Sequence, residues 1–202
     1  MNLKLGTHFT HNYLKTPRRT LHYLAYYKFA SSILGQRKKI LDLGCSEGLG
    51  TRVLVDNCDF CLGIDLDVDA IEIAEANWSV GQMEFQTADF FEFSESGWDA
   101  VISFDVIEHI YPQNMALFWE KLVELMNPGG IFIVGTPSHT SQKYASAVSK
   151  EGHVNIYDAT RLKQEMLSYF SNVFLFCAND ELVHTGFAEL AHYYIAVGCL
   201  KG

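Results

Sequence analysis

Apolar residues fall along this chain in short blocks, and most of the segments between the blocks have helical spacing. Compact apolar runs at residues 39–43, 60–64, 83–87, 100–104 and 131–135 predict buried strands. Between two of them Ala70, Ile71 and Ala74 keep the three-and-four spacing of a helix face. Upstream, residues 23–34 carry an aromatic-rich helical pattern. The clearest helix is predicted over 112–126. Met115, Phe118, Trp119, Leu122 and Met126 share one face there, and Pro112 suits the first turn. Asn127-Pro128-Gly129-Gly130 ends it, because proline and paired glycine cannot continue a helix.

Strands alternating with helices predict a parallel sheet with right-handed crossovers. The C-terminal end breaks the alternation. A helix expected near 158–170, with Asp158 as its cap, is followed by apolar runs at 173–177 and 192–200 with no comparable helix between them. That predicts an antiparallel pair closing one sheet edge.

Composition narrows the function classes. The 202 residues carry a net charge of -9, a field that repels phosphate backbones, and the basic spots Arg18-Arg19 and Arg37-Lys38-Lys39 are too short to offset it. Nucleic acid is therefore not the expected partner. No apolar run is long enough to span a bilayer, so membrane insertion is not expected. Residues 1–10 show no apolar stretch before a cleavage site, so no secretory signal is expected. Five cysteines at irregular spacing read as reduced thiols in a cytoplasmic protein. Cys58 and Cys61 form a lone CxxC without a second pair, and buried thiols are the expectation there. No ligand spacing such as H-x-x-x-H on a helix beside a carboxylate occurs, so no metal is expected.

The first predicted strand runs into Asp42-Leu43-Gly44-Cys45-Ser46-Glu47-Gly48-Leu49-Gly50, a D-x-G-x-x-x-G-x-G pattern. It has neither the glycine spacing of a dinucleotide site nor the Lys-Ser/Thr of a phosphate loop. An acid at this strand end opposes a pyrophosphate and favours a ligand carrying positive charge. Gly44 and Gly48 let backbone approach a ligand closely. The second strand ends at Asp65, placed to accept from ribose hydroxyls. The third ends near Asp89, suited to an adenine amino group, with Phe90 beside it, and the fourth ends at Phe104-Asp105.

Residues 39–138 resemble the class I S-adenosylmethionine-dependent methyltransferases, in particular the branch similar to ubiquinone-biosynthesis O-methyltransferases and enzymes of glycan and natural-product pathways. Residues 40–50 look like the first motif, Gly63-Ile64-Asp65 the second and Ala88-Asp89 the third. Trp98 to Ile110 resembles the fourth strand with its following loop, and Asn127 to Ser138 the fifth. Ser46 stands where the family usually has glycine, which implies a modest adjustment of the loop.

The resemblance implies an α/β fold, a Rossmann-like seven-stranded mostly parallel sheet with an antiparallel C-terminal strand and helices on both faces. It implies one methyltransferase domain over 1–202: cap helices in 1–35, a cofactor core in 36–138, and an acceptor-side loop, helix and hairpin in 139–202. It implies S-adenosyl-L-methionine as cofactor, with Asp42, Gly44, Cys45, Ser46, Gly48, Asp65, Leu66, Asp89, Phe90 and Phe104 around it. The expected partner is a small-molecule acceptor, and the expected state a monomer or homodimer.

Methyl transfer to a hydroxyl needs a base, and histidine serves near neutral pH. His109 follows the fourth strand, in an E-H pair that also reads as structural. His153, in Gly152-His153-Val154-Asn155-Ile156-Tyr157, resembles the H-V-x-x-[FY] segment near the family's acceptor pocket; a helix-entry histidine bonded to backbone is its other reading. His184 with Asp180-Glu181 belongs either to the pocket or to a solvated hairpin. Tyr13, Arg18 and Tyr27 of the aromatic N-terminal segment are further candidates. An oxygen acceptor is expected first; an amine acceptor, or an inactive partner subunit, are the alternatives. A nicotinamide oxidoreductase is disfavoured by the glycine spacing and by Asp42.

Overall fold

The computed structural model describes residues 3–79 and 81–201. Strands β1 (Arg37–Leu43), β2 (Cys58–Asp65), β3 (Met83–Thr87), β4 (Trp98–Phe104), β5 (Met126–Pro137), β6 (Asn172–Asn179), β7 (Leu182–His184) and β8 (Tyr193–Cys199) form one sheet. Their order is β3-β2-β1-β4-β5-β8-β6-β7. The first five run parallel, and β8 lies antiparallel between β5 and β6. The helices are α1 (Thr7–Lys15), α2 (Pro17–Leu34), α3 (Thr51–Leu54), α4 (Val68–Trp78), α5 (Met115–Leu125), α6 (Ala147–Gly152) and α7 (Ala159–Leu167).

The strand period of two sends alternate residues to opposite faces. From β1, Leu41 and Leu43 join a core with Phe118, Trp119 and Leu122 of α5 and Leu162 and Met166 of α7. Ile40 joins a core with Tyr26, Tyr27, Ala30 and Leu34 of α2. Helices thus cover both faces, which is why the central strands read as nearly continuous apolar runs.

Three features differ from expectation. The sheet has eight strands, not seven, because β7 forms a short hairpin with β6 through Asp180-Glu181, with Asp180 at φ 53. Three residues are too few to show an alternation. The helix expected to reach Met126 stops at Leu125, and Met126 instead pairs with Trp98 across a register shift, so the Asn-Pro-Gly-Gly segment enters the sheet irregularly. The loop expected at the start of 139–202 folds into a 3-10 segment, His139–Tyr144, and the short α6. Asp158 caps α7 as expected, accepting from the Arg161 N–H. All five cysteines are free, and Cys58 and Cys61 are buried. Among the described residues no helix is long and apolar enough to cross a membrane.

Leu122 and Leu117 share α5 but differ in surroundings, one fully buried and the other 55% exposed. Leu122→Ala is expected to cost about 2–5 kcal/mol in urea unfolding, and Leu117→Ala no more than about 0.5 kcal/mol.

Candidate cofactor crevice and active site

The strand order reverses between β1 and β4, and the C-terminal strand tips at such a switch are where ligands of open α/β sheets bind. The glycine loop leaves β1 there. The N–H groups of Gly44 and Cys45 both donate to the Ile64 carbonyl, at 2.8 and 3.1 Å. Gly44 and Gly48 adopt φ 78 and φ 75. A Cβ on Gly44 would strike Val106, and one on Gly48 would strike Phe85 and Trp78. Both glycines therefore serve the loop's own conformation and packing. Ser46 takes φ 50, the left-handed conformation that glycine adopts without strain.

Asp65 ties this loop to the β2 tip. One carboxylate oxygen accepts from the Ser46 N–H at 2.8 Å and the other from the Asp67 N–H at 3.0 Å. Leu66 beside it is exposed. Asp89 is exposed at the β3 tip and accepts from the Phe91 N–H at 2.8 Å. Phe90 is buried against Phe118, Phe104 is buried against Tyr27, and Cys45 is buried in the loop. These three side chains lie in the core.

Asp42 is fully buried. Tyr27 Oη donates to one oxygen at 3.0 Å and Thr51 Oγ1 to the other at 2.6 Å. The acid that the sequence sets at the strand end is thus held beneath the loop, between α2 and α3. Loss of water raises its pKa to about 7, against the pull of the Thr51 and Tyr27 hydrogen bonds, and Asp65 adds to the rise. Tyr27 is the N-terminal candidate that reaches this site; Tyr13 and Arg18 are exposed.

The β4 tip builds a second constellation. Asp105 adopts φ 57, and a 3-10 turn follows at Ile107–His109. Asp105 is open to solvent yet walled by protein, and this surrounding raises its pKa, with Tyr193, His109 and Arg19 acting the other way. Glu108 is buried and raised for the same reason, with Asp105 adding to it. Its Oε2 accepts from Thr136 Oγ1 at 3.1 Å, and its Oε1 has no partner.

The fold brings His153 to this turn. Asn155 donates from its backbone to the Glu108 carbonyl and from Nδ2 to the Ile107 carbonyl, and it accepts from Arg161 Nη2 at 2.7 Å. Tyr157, fully buried, donates to Glu165, which also pairs with Arg161. This network explains the spacing of the His153–Tyr157 segment. The rings of His109 and His153 then meet edge to face with centroids 5.1 Å apart. His109 Nδ1 donates to the Gly152 carbonyl at 2.9 Å, and His153 Nδ1 to Gln142 Oε1 at 3.1 Å. The backbone carbonyl makes His109 Nδ1 the donor and leaves its Nε2 basic, while Gln142 occupies His153 Nδ1 and leaves Nε2 as its open nitrogen. Burial and the neighbouring His109 lower the His153 pKa, which keeps it neutral.

One ligand atom from each of Glu108, His109 and His153 lies within 4.8 Å of the others. Two oriented imidazoles and a carboxylate can hold a divalent cation. Sequence spacing did not reveal this group, because Glu108 and His153 meet only through the Asn155 anchor. The His184 region takes a different place: Asp180 lies 3.6 Å from His22 Nε2, and the turn is tied to α2 by the Tyr26 hydroxyl.

The strand order and the glycine loop after β1 place the fold in the class of open, mostly parallel α/β domains whose ligands bind where the strand order reverses. The chain belongs to the family described as a methyltransferase domain, which it matches over residues 9–169. It is 27% identical over 117 residues to a probable S-adenosylmethionine-dependent methyltransferase of Mycolicibacterium smegmatis, 58% of this chain and 44% of that protein. It is 28% identical over 114 residues to a ubiquinone biosynthesis O-methyltransferase of Azorhizobium caulinodans, 54% of this chain and 44% of the relative. The chain thus spans less than half the length of these curated relatives. In fold it is similar to the N-methyltransferase NodS of Bradyrhizobium japonicum in complex with S-adenosyl-L-homocysteine, with a TM-score of 0.68 at 18% identity. That likeness covers 92% of this chain and 87% of NodS. It is also similar to the methyltransferase domain of bacterial CtHen1-C, with a TM-score of 0.72 at 18% identity over 91% and 99% of the two chains.

Asp42 makes a signed prediction. The folded chain holds its proton up to about pH 7, whereas the unfolded carboxyl releases it near 3.8. Its contribution to stability therefore falls as pH rises through that window. Between about pH 5 and about pH 8 the melting temperature of Asp42→Asn should fall less than that of the wild type. An equal fall in both would contradict the raised pKa.

Proposed function

We propose that this chain is an S-adenosyl-L-methionine-dependent methyltransferase domain that methylates an oxygen of a small polar molecule. The observation that carries this reading is the convergence of Glu108, His109 and His153 at the same strand-tip crevice as the glycine loop. In the cofactor half, Asp65 is the acceptor for the ribose hydroxyls and Asp89 for the adenine amino group, and the loop around Gly44, Ser46 and Gly48 faces the methionine end. The cofactor assignment is supported by family membership and by the S-adenosyl-L-homocysteine bound in the NodS structure.

The reaction is an in-line displacement. Bound S-adenosyl-L-methionine would supply an electrophilic methyl group to the acceptor oxygen and would depart as a neutral thioether. The acceptor hydroxyl must lose its proton. His153 Nε2 takes it, because Nδ1 is engaged and the ring is held neutral. His109 orients beside it. The buried hydroxyls of Tyr23 and Tyr193 and the Asp105 carboxylate suit an acceptor with several hydroxyl groups. Glu108, His109 and His153 also fit a divalent cation, which when bound supplies a Lewis acid that lowers the pKa of an acceptor hydroxyl.

The test is transfer of labelled methyl from S-adenosyl-L-methionine to a panel of sugars and phenols. His153→Ala should lose about 100-fold or more in turnover, with cofactor affinity changed by no more than about threefold. Loss of turnover in chelator, restored by Mg²⁺ or Mn²⁺, assigns the cluster to a cation; undiminished turnover leaves His153 as the base. Full turnover in both His109→Ala and His153→Ala overturns the role given to these histidines, and transfer to amines but to no sugar or phenol overturns the oxygen reading in favour of an amine acceptor, which needs no strong base.

A further inference from the structure

Glu47 stands inside the glycine loop, yet its carboxylate serves a different element. It is 4% exposed and accepts from the backbone N–H of Gly6 at 2.9 Å, of His8 at 2.7 Å and of Phe9 at 3.3 and 3.4 Å. These are the free N–H groups at the start of α1, which has no cap of its own: Gly6 at the N-cap has no side chain, and the first turn holds no acid. Glu47 therefore caps α1 from a distant part of the chain, completing its hydrogen bonds and opposing its dipole.

The arrangement is tight on every side. A Cβ on Gly6 would run into the Glu47 carboxylate. From the opposite side the Glu47 carbonyl accepts from Trp78 Nε1 of α4 at 3.0 Å. Below the cap, Phe9 is buried and packs on Tyr23 at 5.1 Å, Tyr23 packs on Tyr27 at 4.9 Å, and Tyr27 donates to Asp42. One loop residue thus connects α1 to the element read above as the cofactor site.

We propose that Glu47 is a positioning residue that clamps α1 onto the glycine loop, so that α1 docking and S-adenosyl-L-methionine binding stabilise each other. The clamp rests on the reading of this loop as the cofactor site. Coupling is reciprocal: a ligand that orders the loop favours the docked helix, and a freed helix weakens the ligand. The α1–α2 junction carries exposed Lys15, Arg18 and Arg19, which trypsin reaches more readily once α1 lifts.

The experiment pairs calorimetric binding of S-adenosyl-L-homocysteine with the rate of tryptic cleavage after Lys15, Arg18 and Arg19. In the wild type the ligand should slow this cleavage. In Glu47→Ala, affinity should fall on the order of tenfold, and the ligand should no longer protect the junction. Gly6→Ala forces the carboxylate to withdraw without altering the loop sequence, and should reproduce both effects. The double variant should be no worse than either single one. Wild-type affinity with intact protection in Glu47→Ala and Gly6→Ala overturns the clamp alone. A wild type that binds no ligand overturns the cofactor reading and the clamp with it.

Discussion

A carboxylate with no access to water sits at the centre of this fold. Asp42 ends β1, and its two oxygens are taken by Tyr27 from α2 and Thr51 from α3. A buried acid without such partners would cost several kcal/mol. The two hydroxyls therefore fix where α2 lies on the sheet and where the helix after the glycine loop begins. The loop between them closes over that acid, and its backbone conformation at Gly44, Ser46 and Gly48 follows from the path it must take. Asp65 then pins the loop from the next strand through the Ser46 N–H.

The second half of the crevice is organised by backbone anchoring. Asn155 bonds two adjacent carbonyls of the turn after β4, those of Ile107 and Glu108, and is itself held by Arg161, so the network brings His153 beside His109. Neither imidazole is free to turn, since each spends Nδ1 on an oxygen acceptor. Asp105 in a left-handed conformation and Glu108 with an unpartnered buried oxygen hold polar groups in a place where folding alone gives no return for them. Strain and unsatisfied polarity of this kind concentrate where a chain binds ligands.

Much of the fold was legible in the sequence, because the parallel strands β1, β2, β4 and β5 are buried on both faces and leave apolar runs, and the loop after β1 is rich in glycine. The strand tips at Asp65, Asp89 and Asp105 could be read the same way. What escaped reading was tertiary. The side chain of Asp42 looked ligand-facing, since nothing local says that Tyr27 and Thr51 will reach it. Phe90 and Phe104 looked available to a ligand until α5 and α2 covered them. Glu47 carried no signal at all: its partners are backbone N–H groups 38 to 41 residues earlier in the chain, and backbone groups have no sequence signature. The three-residue β7 was too short to show a period.

The central claim is that the β1 loop and Asp65 form the S-adenosyl-L-methionine site. Calorimetric titration of S-adenosyl-L-homocysteine into the wild type and Asp65→Ala tests it most directly. The account predicts wild-type binding at roughly micromolar ligand, weakened by about tenfold or more in the variant. No wild-type binding at roughly millimolar ligand, or equal binding by both proteins, would contradict it.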